Sequence, residues 1–128
     1  MNRFLLKTAL SLCILTSCET TPPDIAGLDY EKWELDKYGC EGDRMDMVRL
    51  VIENKDKFLR FRQNQIIDIP GKPDNLTLYE RGGTIYFYYI MYHPNCPDVS
   101  YRAEEQWVKL EIRFDALNRS KEVFVYNY

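Results

Sequence analysis

Residues 84–93 read TIYFYYIMYH, and residues 106–115 read QWVKLEIRFD. The first is dense in aromatic and β-branched side chains, which favour a pleated, half-buried backbone. Both of its faces are apolar: Tyr86, Tyr88, Ile90 and Tyr92 share one, and Ile85, Phe87, Tyr89 and Met91 the other. A strand apolar on both sides belongs inside a sheet. The second stretch alternates. Val108, Leu110, Ile112 and Phe114 point one way; Trp107, Lys109, Glu111 and Arg113 point the other. That period of two marks a strand with one buried face.

Working outward, Leu76 to Arg81 reads as a further strand, joined to the aromatic one by the turn signal Gly82-Gly83. Ala116 to Ser120 turns the chain into a last strand over residues 121–126. Upstream, residues 43–69 contain no Gly and no Pro. Asp43 suits an N-cap; Met45, Val48 and Ile52 share one helical face, widened by Met47, Leu50 and Val51. Two helices with a break near residues 55–61 suit a compact domain, and Pro70, Gly71 and Pro73 stop the second. Residues 29–38 predict a short helical turn that packs Trp33. Helices followed by consecutive antiparallel strands predict an α+β, two-layer fold: two N-terminal helices on a sheet of three or four strands.

The chain has 128 residues, enough for one ordinary domain. Hydrophobic residues at 45% predict that most of it folds. A formal charge of −3 argues against a nucleic-acid partner. The one His leaves little room for His-based metal or triad chemistry. No Gly-rich phosphate loop, metal quartet or Ser/His/Asp pattern is present, so the expectation is a non-enzymatic protein with no cofactor and no metal site.

The first residues are an address. Arg3 and Lys7 precede an uncharged, mostly apolar run, residues 8–16, too short to span a bilayer. The run ends in Leu15-Thr16-Ser17-Cys18, which resembles the lipobox of bacterial lipoproteins. The resemblance implies cleavage of residues 1–17 as a signal peptide and a covalent lipid on Cys18. Glu19 rather than Asp after the Cys implies the outer membrane, so the expected location is the bacterial cell envelope, held by the lipid. Residues 18–28, with two Pro and a Gly, predict a tether, and residues 29–128 a single domain. Losing residues 1–17 removes two bases and no acid, leaving 15 bases against 20 acids, a net −5. Such a body is expected to be held by acyl chains rather than by attraction to anionic lipid. Cys13 leaves with the signal and Cys18 is lipidated, so Cys40 and Cys96 remain in an oxidising compartment and predict one disulfide.

The order of elements, with IIDIPGKPD at residues 66–74, Tyr88-Tyr89 in the aromatic strand and Phe114-Asp115 ahead of a turn, resembles the SmpA/OmlA (BamE-like) family of small lipoproteins, whose fold is similar to the β-lactamase-inhibitor-protein repeat. Ile66, Ile67, Ile69, Gly71, Lys72, Pro73 and Asp74 match the family's helix-ending motif, with Pro70 where Leu is commoner. The entry to the second helix departs from it: Phe61-Arg62-Gln63-Asn64-Gln65 replaces the usual Gly-x-Ser/Thr-x-x-Glu-Val. The resemblance covers residues 29–126 and implies a scaffold that supports outer-membrane protein assembly or envelope integrity through another envelope protein. The inhibitor-like fold, the acidic body and the disulfide imply a rival: an inhibitor or immunity lipoprotein that binds a secreted enzyme or toxin. Candidate partner-binding residues are Tyr86, Tyr88, Tyr92, Trp107 and Tyr126, on the reasoning that large rigid rings suit recognition. The same rings could simply pack across strands with their hydroxyls in water. Which sheet face the helices cover stays open.

Metabolic labelling with radioactive palmitate tests the address. Label is expected on the wild-type protein; Cys18→Ser should carry none and keep the unprocessed mass.

Overall fold

The computed structural model describes residues 23–97 and 102–128. Three short α-helices come first: α1 (Tyr30–Leu35), α2 (Asp43–Glu53) and α3 (Gln63–Ile67), with a 3-10 turn at Lys37–Gly39 after α1 and another at Lys55–Phe58 between α2 and α3. Four antiparallel strands follow, β1 (Asn75–Tyr79), β2 (Gly83–Met91), β3 (Val108–Phe114) and β4 (Ser120–Tyr126), in the order β1-β2-β3-β4. The α+β class is as the sequence indicates, and the helical region breaks where expected. Among the described residues the α-helices number three rather than two, because the segment packing Trp33 forms a short helix of its own. No helix among the described residues is long and apolar enough to cross a membrane.

Register assigns the two sheet faces. Tyr86 opposes Ile112, which opposes Val123; Tyr88 opposes Leu110, which opposes Val125. These side chains meet Trp33, Met47, Val48, Val51, Phe58 and Ile66 in one core. Ile25 joins it at 2% exposure. The packed domain therefore starts inside the segment expected to be a tether.

On α2 the buried stripe is Arg44, Met47, Val48 and Val51, spaced i, i+3, i+4, i+7, while Met45 and Ile52 lie only partly buried. The sequence pattern pointed one position along, because Arg44 breaks the apolar rule. Gly42 takes the N-cap position and Asp43 is the first helical residue. The capping carboxylate comes from the end of α1. Asp36 is fully buried and accepts from Glu41 N at 2.7 Å and Arg44 N at 2.9 Å. It thereby satisfies one orphan donor of the first turn of α2, Arg44 N, and the N–H of Glu41 just ahead of the helix.

Arg44 is also fully buried. Its Nε donates to Trp33 O at 2.9 Å and its Nη1 to Tyr89 O at 2.8 Å. Its guanidinium pairs with the Asp74 carboxylate, which in turn accepts from Tyr89 N at 2.9 Å. β1 pairs with β2 only as far as Asn75↔Phe87. Beyond that point Asp74 and Arg44 take over the N–H and C=O of Tyr89 that another strand residue would have bonded. An unpaired charge here would carry its full desolvation penalty.

A disulfide joins Cys40 to Cys96, 56 residues apart, and ties the turn after α1 to the loop after β2. Closing a loop of that length contributes about 4 kcal/mol in the chain-entropy view. Gly39 beside it is obligatory. Its φ is +69° and a Cβ there would lie 2.1 Å from Ile90 O, so the turn lies directly on the β2 backbone.

Removing either partner of the buried pair, by Arg44→Ala or Asp74→Ala, is expected to cost ~3–5 kcal/mol, read from urea melts. Glu53→Ala, which breaks the exposed Arg49–Glu53 pair on the same helix, should change stability by less than ~1 kcal/mol.

Candidate functional site

The sheet face away from the helices is the candidate surface. Among the described residues no α-helix lies over it, yet much of it is shielded by its own side chains. β3 supplies Lys109, Glu111 and Arg113 in a row, since alternate residues of a strand share a face. Glu111 is 6% exposed and lies between the two cations, 3.5 Å from Lys109 Nζ and 3.2 Å from Arg113 Nη2. The cations in turn lie over rings. Lys109 Nζ is 5.3 Å from the Phe87 ring centre and 5.7 Å from that of Tyr126. The Arg113 guanidinium is 4.8 Å from Phe124 and 5.6 Å from Tyr79. Arg113 also donates to the Tyr126 hydroxyl at 3.1 Å. Burial, reinforced by the charge of Glu111, pushes the Tyr126 phenol up, so it stays neutral. The result is a lattice of alternating cations and rings that hides apolar carbon while keeping charge near water.

At one end of this face the rings gather. His93 lies 4.6 Å from Tyr38, 4.3 Å from Tyr89 and 4.9 Å from Trp107, centre to centre. Tyr89 meets Trp107 edge-on at 5.7 Å. The Trp107 indole N–H donates to Arg102 O at 3.1 Å. Tyr38 has φ +60°, a left-handed backbone that costs a non-glycine residue of order 1 kcal/mol or more. The neighbouring disulfide and the stack on His93 hold it there. Burial lowers the pKa of His93, against the opposing charges of Asp74 and Glu104.

The five aromatic candidates separate. Tyr86 and Tyr88 do not belong to an exposed surface. They are 5% and 0% exposed and face the helices, and the Tyr88 hydroxyl donates to Gly71 O at 2.8 Å. The physical reason is register: Tyr88 opposes Leu110, so it must share the core face of β3. Tyr92 falls after the strand, at φ +70°, with the Arg102 guanidinium 4.6 Å from its ring centre. Trp107 and Tyr126 do reach the open face, near the same end of β3, since Tyr126 opposes Lys109. Cys40 and Cys96 are bridged, while Cys18 and the whole of residues 1–17 lie outside the described residues. The rings that Trp107 and Tyr126 join are Phe87, Tyr89 and Phe124. The alternation of Trp107, Lys109, Glu111 and Arg113 could have found them, once the pairing of β2 with β3 was known.

The β1 edge was not anticipated as a site. All five of its residues are exposed, and Leu76 and Leu78 are 55% and 82% exposed. β1 lies at the end of the strand order, carries no charge and no Pro, and among the described residues pairs on one side only. Such an edge is a template for another extended segment.

Comparison with protein-family models, with curated proteins and with solved structures finds no match to this chain.

A buried neutral His makes stability depend on pH. With the folded pKa of His93 below the unfolded value near 6.5, the unfolded chain binds the proton first. The stabilisation is complete above about pH 6.5 and falls as pH drops toward the folded pKa. Wild-type Tm should therefore drop more steeply than that of His93→Phe between about pH 7 and 5, measured by circular dichroism.

Proposed function

We propose that this chain is a non-enzymatic, lipid-anchored module of the bacterial envelope that binds another envelope protein and supports outer-membrane protein assembly or envelope integrity. The address at residues 1–18 supports the location, and the resemblance to the SmpA/OmlA (BamE-like) lipoproteins supports the role. The observation that carries the binding reading is β1. An uncharged edge strand, exposed at all five residues, with Leu76 and Leu78 on the helix side of the sheet but left in solvent, fits strand addition, in which main-chain bonds supply affinity and alternate side chains supply choice. The expected partner element is an extended, apolar segment of a second envelope protein. The cation–ring lattice of the open face flanks that edge through Tyr79, which lies under Arg113.

The test is crosslinking in living cells, followed by purification of the lipidated protein and mass spectrometry of what comes with it. Recovery of barrel-assembly components supports the scaffold role; recovery of one soluble hydrolase or toxin favours the inhibitor reading instead. Leu76→Lys with Leu78→Lys is expected to reduce partner capture at least ~10-fold while leaving the circular dichroism spectrum native, since exposed positions change stability by about 0.5 kcal/mol or less. Unchanged capture by this variant would remove β1 from the interface.

A further inference from the structure

The bases that survive signal cleavage are not spread evenly. Residues 55–62 read KDKFLRFR and residues 115–121 read DALNRSK. These two short stretches hold six of the 15 bases and two of the 20 acids, leaving nine bases against 18 acids elsewhere. The fold stitches them together. Arg60 N donates to Ser120 O at 2.7 Å, and Ser120 N returns a bond to Phe61 O at 2.8 Å. Ser120 Oγ donates to Phe58 O at 2.6 Å, and Arg62 and Arg119 form an isolated β-bridge. Lys55, Lys57, Arg60, Arg62, Arg119 and Lys121 are all exposed. Arg60, Arg119 and Lys121 line one shallow groove of about 490 Å³. Of the two acids, Asp115 is engaged with Arg119 at 3.6 Å, and Asp56 is exposed. Leu117, at the tip of the β3–β4 turn, is 67% exposed.

The same side is where the chain enters the domain. Ile25 is buried in the core, and Lys57 Nζ reaches Asp24 O at 3.4 Å. Covalent geometry allows the six steps from Cys18 to Asp24 to span at most about 20 Å. A lipid on Cys18 would thus hold the basic side, rather than the acidic remainder, within a short reach of the membrane.

We propose that this basic side is a membrane-facing surface: Lys55, Lys57, Arg60, Arg62, Arg119 and Lys121 rest on anionic lipid headgroups, with Leu117 at the boundary, and so set the orientation of the domain. The proposal rests on the lipid-anchored reading. The net charge of −5 spoke against lipid attraction, but attraction depends on charge within a Debye length of the surface, about 8–10 Å, and the two stretches that would rest there carry six bases and two acids, with Asp24 beside Lys57 as one further acid. The arrangement leaves Leu76 and Leu78 of the β1 edge to another partner; the edge meets the basic side only at Tyr79, which lines a groove with Asp115 and Lys121.

The test uses the purified lipidated protein reconstituted into two kinds of vesicle, phosphatidylcholine alone and phosphatidylcholine with a third phosphatidylglycerol. Flotation with the neutral vesicles reads the anchor; amide hydrogen exchange over residues 55–62 and 115–121 reads the surface. Exchange there should slow about tenfold on the anionic vesicles relative to the neutral ones, and the protection should fade as salt rises from ~0.1 to ~0.5 M. Arg60→Glu with Arg119→Glu and Lys121→Glu should float equally well but lose the protection. The salt titration on the wild type keeps the test valid if that variant folds poorly. Equal exchange on both vesicles in floating protein overturns the orientation while leaving the anchor intact, and would assign the basic side to an acidic protein partner. Failure to float with neutral vesicles refutes the anchor and the orientation with it.

Discussion

One buried charge organises this molecule. The Arg44 guanidinium is sealed from water and must find acceptors for its donors. It finds them in Trp33 O of α1, Asp74 ahead of β1 and Tyr89 O of β2. One side chain of α2 thereby fixes three other parts of the chain relative to itself. Asp74 completes the pattern by accepting from Tyr89 N, so the ion pair extends the β2 edge where β1 has ended. Pro73 just before it has no N–H to continue a ladder. Asp36 adds a second buried carboxylate on the other side of Arg44 by capping its backbone N–H.

The disulfide acts at the same end of the sheet. It binds the turn after α1 to the loop after β2, and Gly39 lets that turn touch the Ile90 carbonyl. Between the ion pair and the disulfide, Tyr38 has no freedom to relax from its left-handed backbone, and its ring is delivered onto His93. Strain of that kind persists where the surroundings over-determine it.

The two faces of the sheet solve the same problem differently. Both are rich in aromatic carbon. One is covered by helices and has become the core, including Tyr86 and Tyr88. The other is covered by the long side chains of Lys109 and Arg113, which lie over four rings and share the half-hidden Glu111. That cover uses cations whose charge stays near water, so it remains a surface while hiding much of its carbon. β1 receives little of either: Arg113 lies over Tyr79, while Leu76 and Leu78 stay exposed, and among the described residues no strand pairs with its outer edge. Charge is segregated in a comparable way, with the bases of residues 55–62 and 115–121 brought together by Ser120 and the rest of the body acidic.

Much of this was legible from residues alone, because it depends on local periodicity and on chemistry that needs no partner. The alternation in residues 106–115 defined a strand with one buried side. The helical region, free of Gly and Pro, ended at Pro70-Gly71, and Cys40 and Cys96, the two cysteines outside the expected signal and lipidation site, predicted their own bridge, which the structure contains. Three things were decided by tertiary structure. The buried role of Arg44 was hidden, because an Arg on a helix reads as solvated until Asp74, 30 residues away, is placed against it. The fate of the tyrosines was hidden, because a strand apolar on both faces gives no sign of which side the helices will take; only the pairing of Tyr88 with Leu110 settles it. The basic side was hidden, because two short stretches more than 50 residues apart become one surface only when β4 lies beside the chain leaving Phe58. Sequence determines what each segment prefers, since preference comes from side chains a few residues apart; which segments meet is decided by long-range packing, which has no local signature.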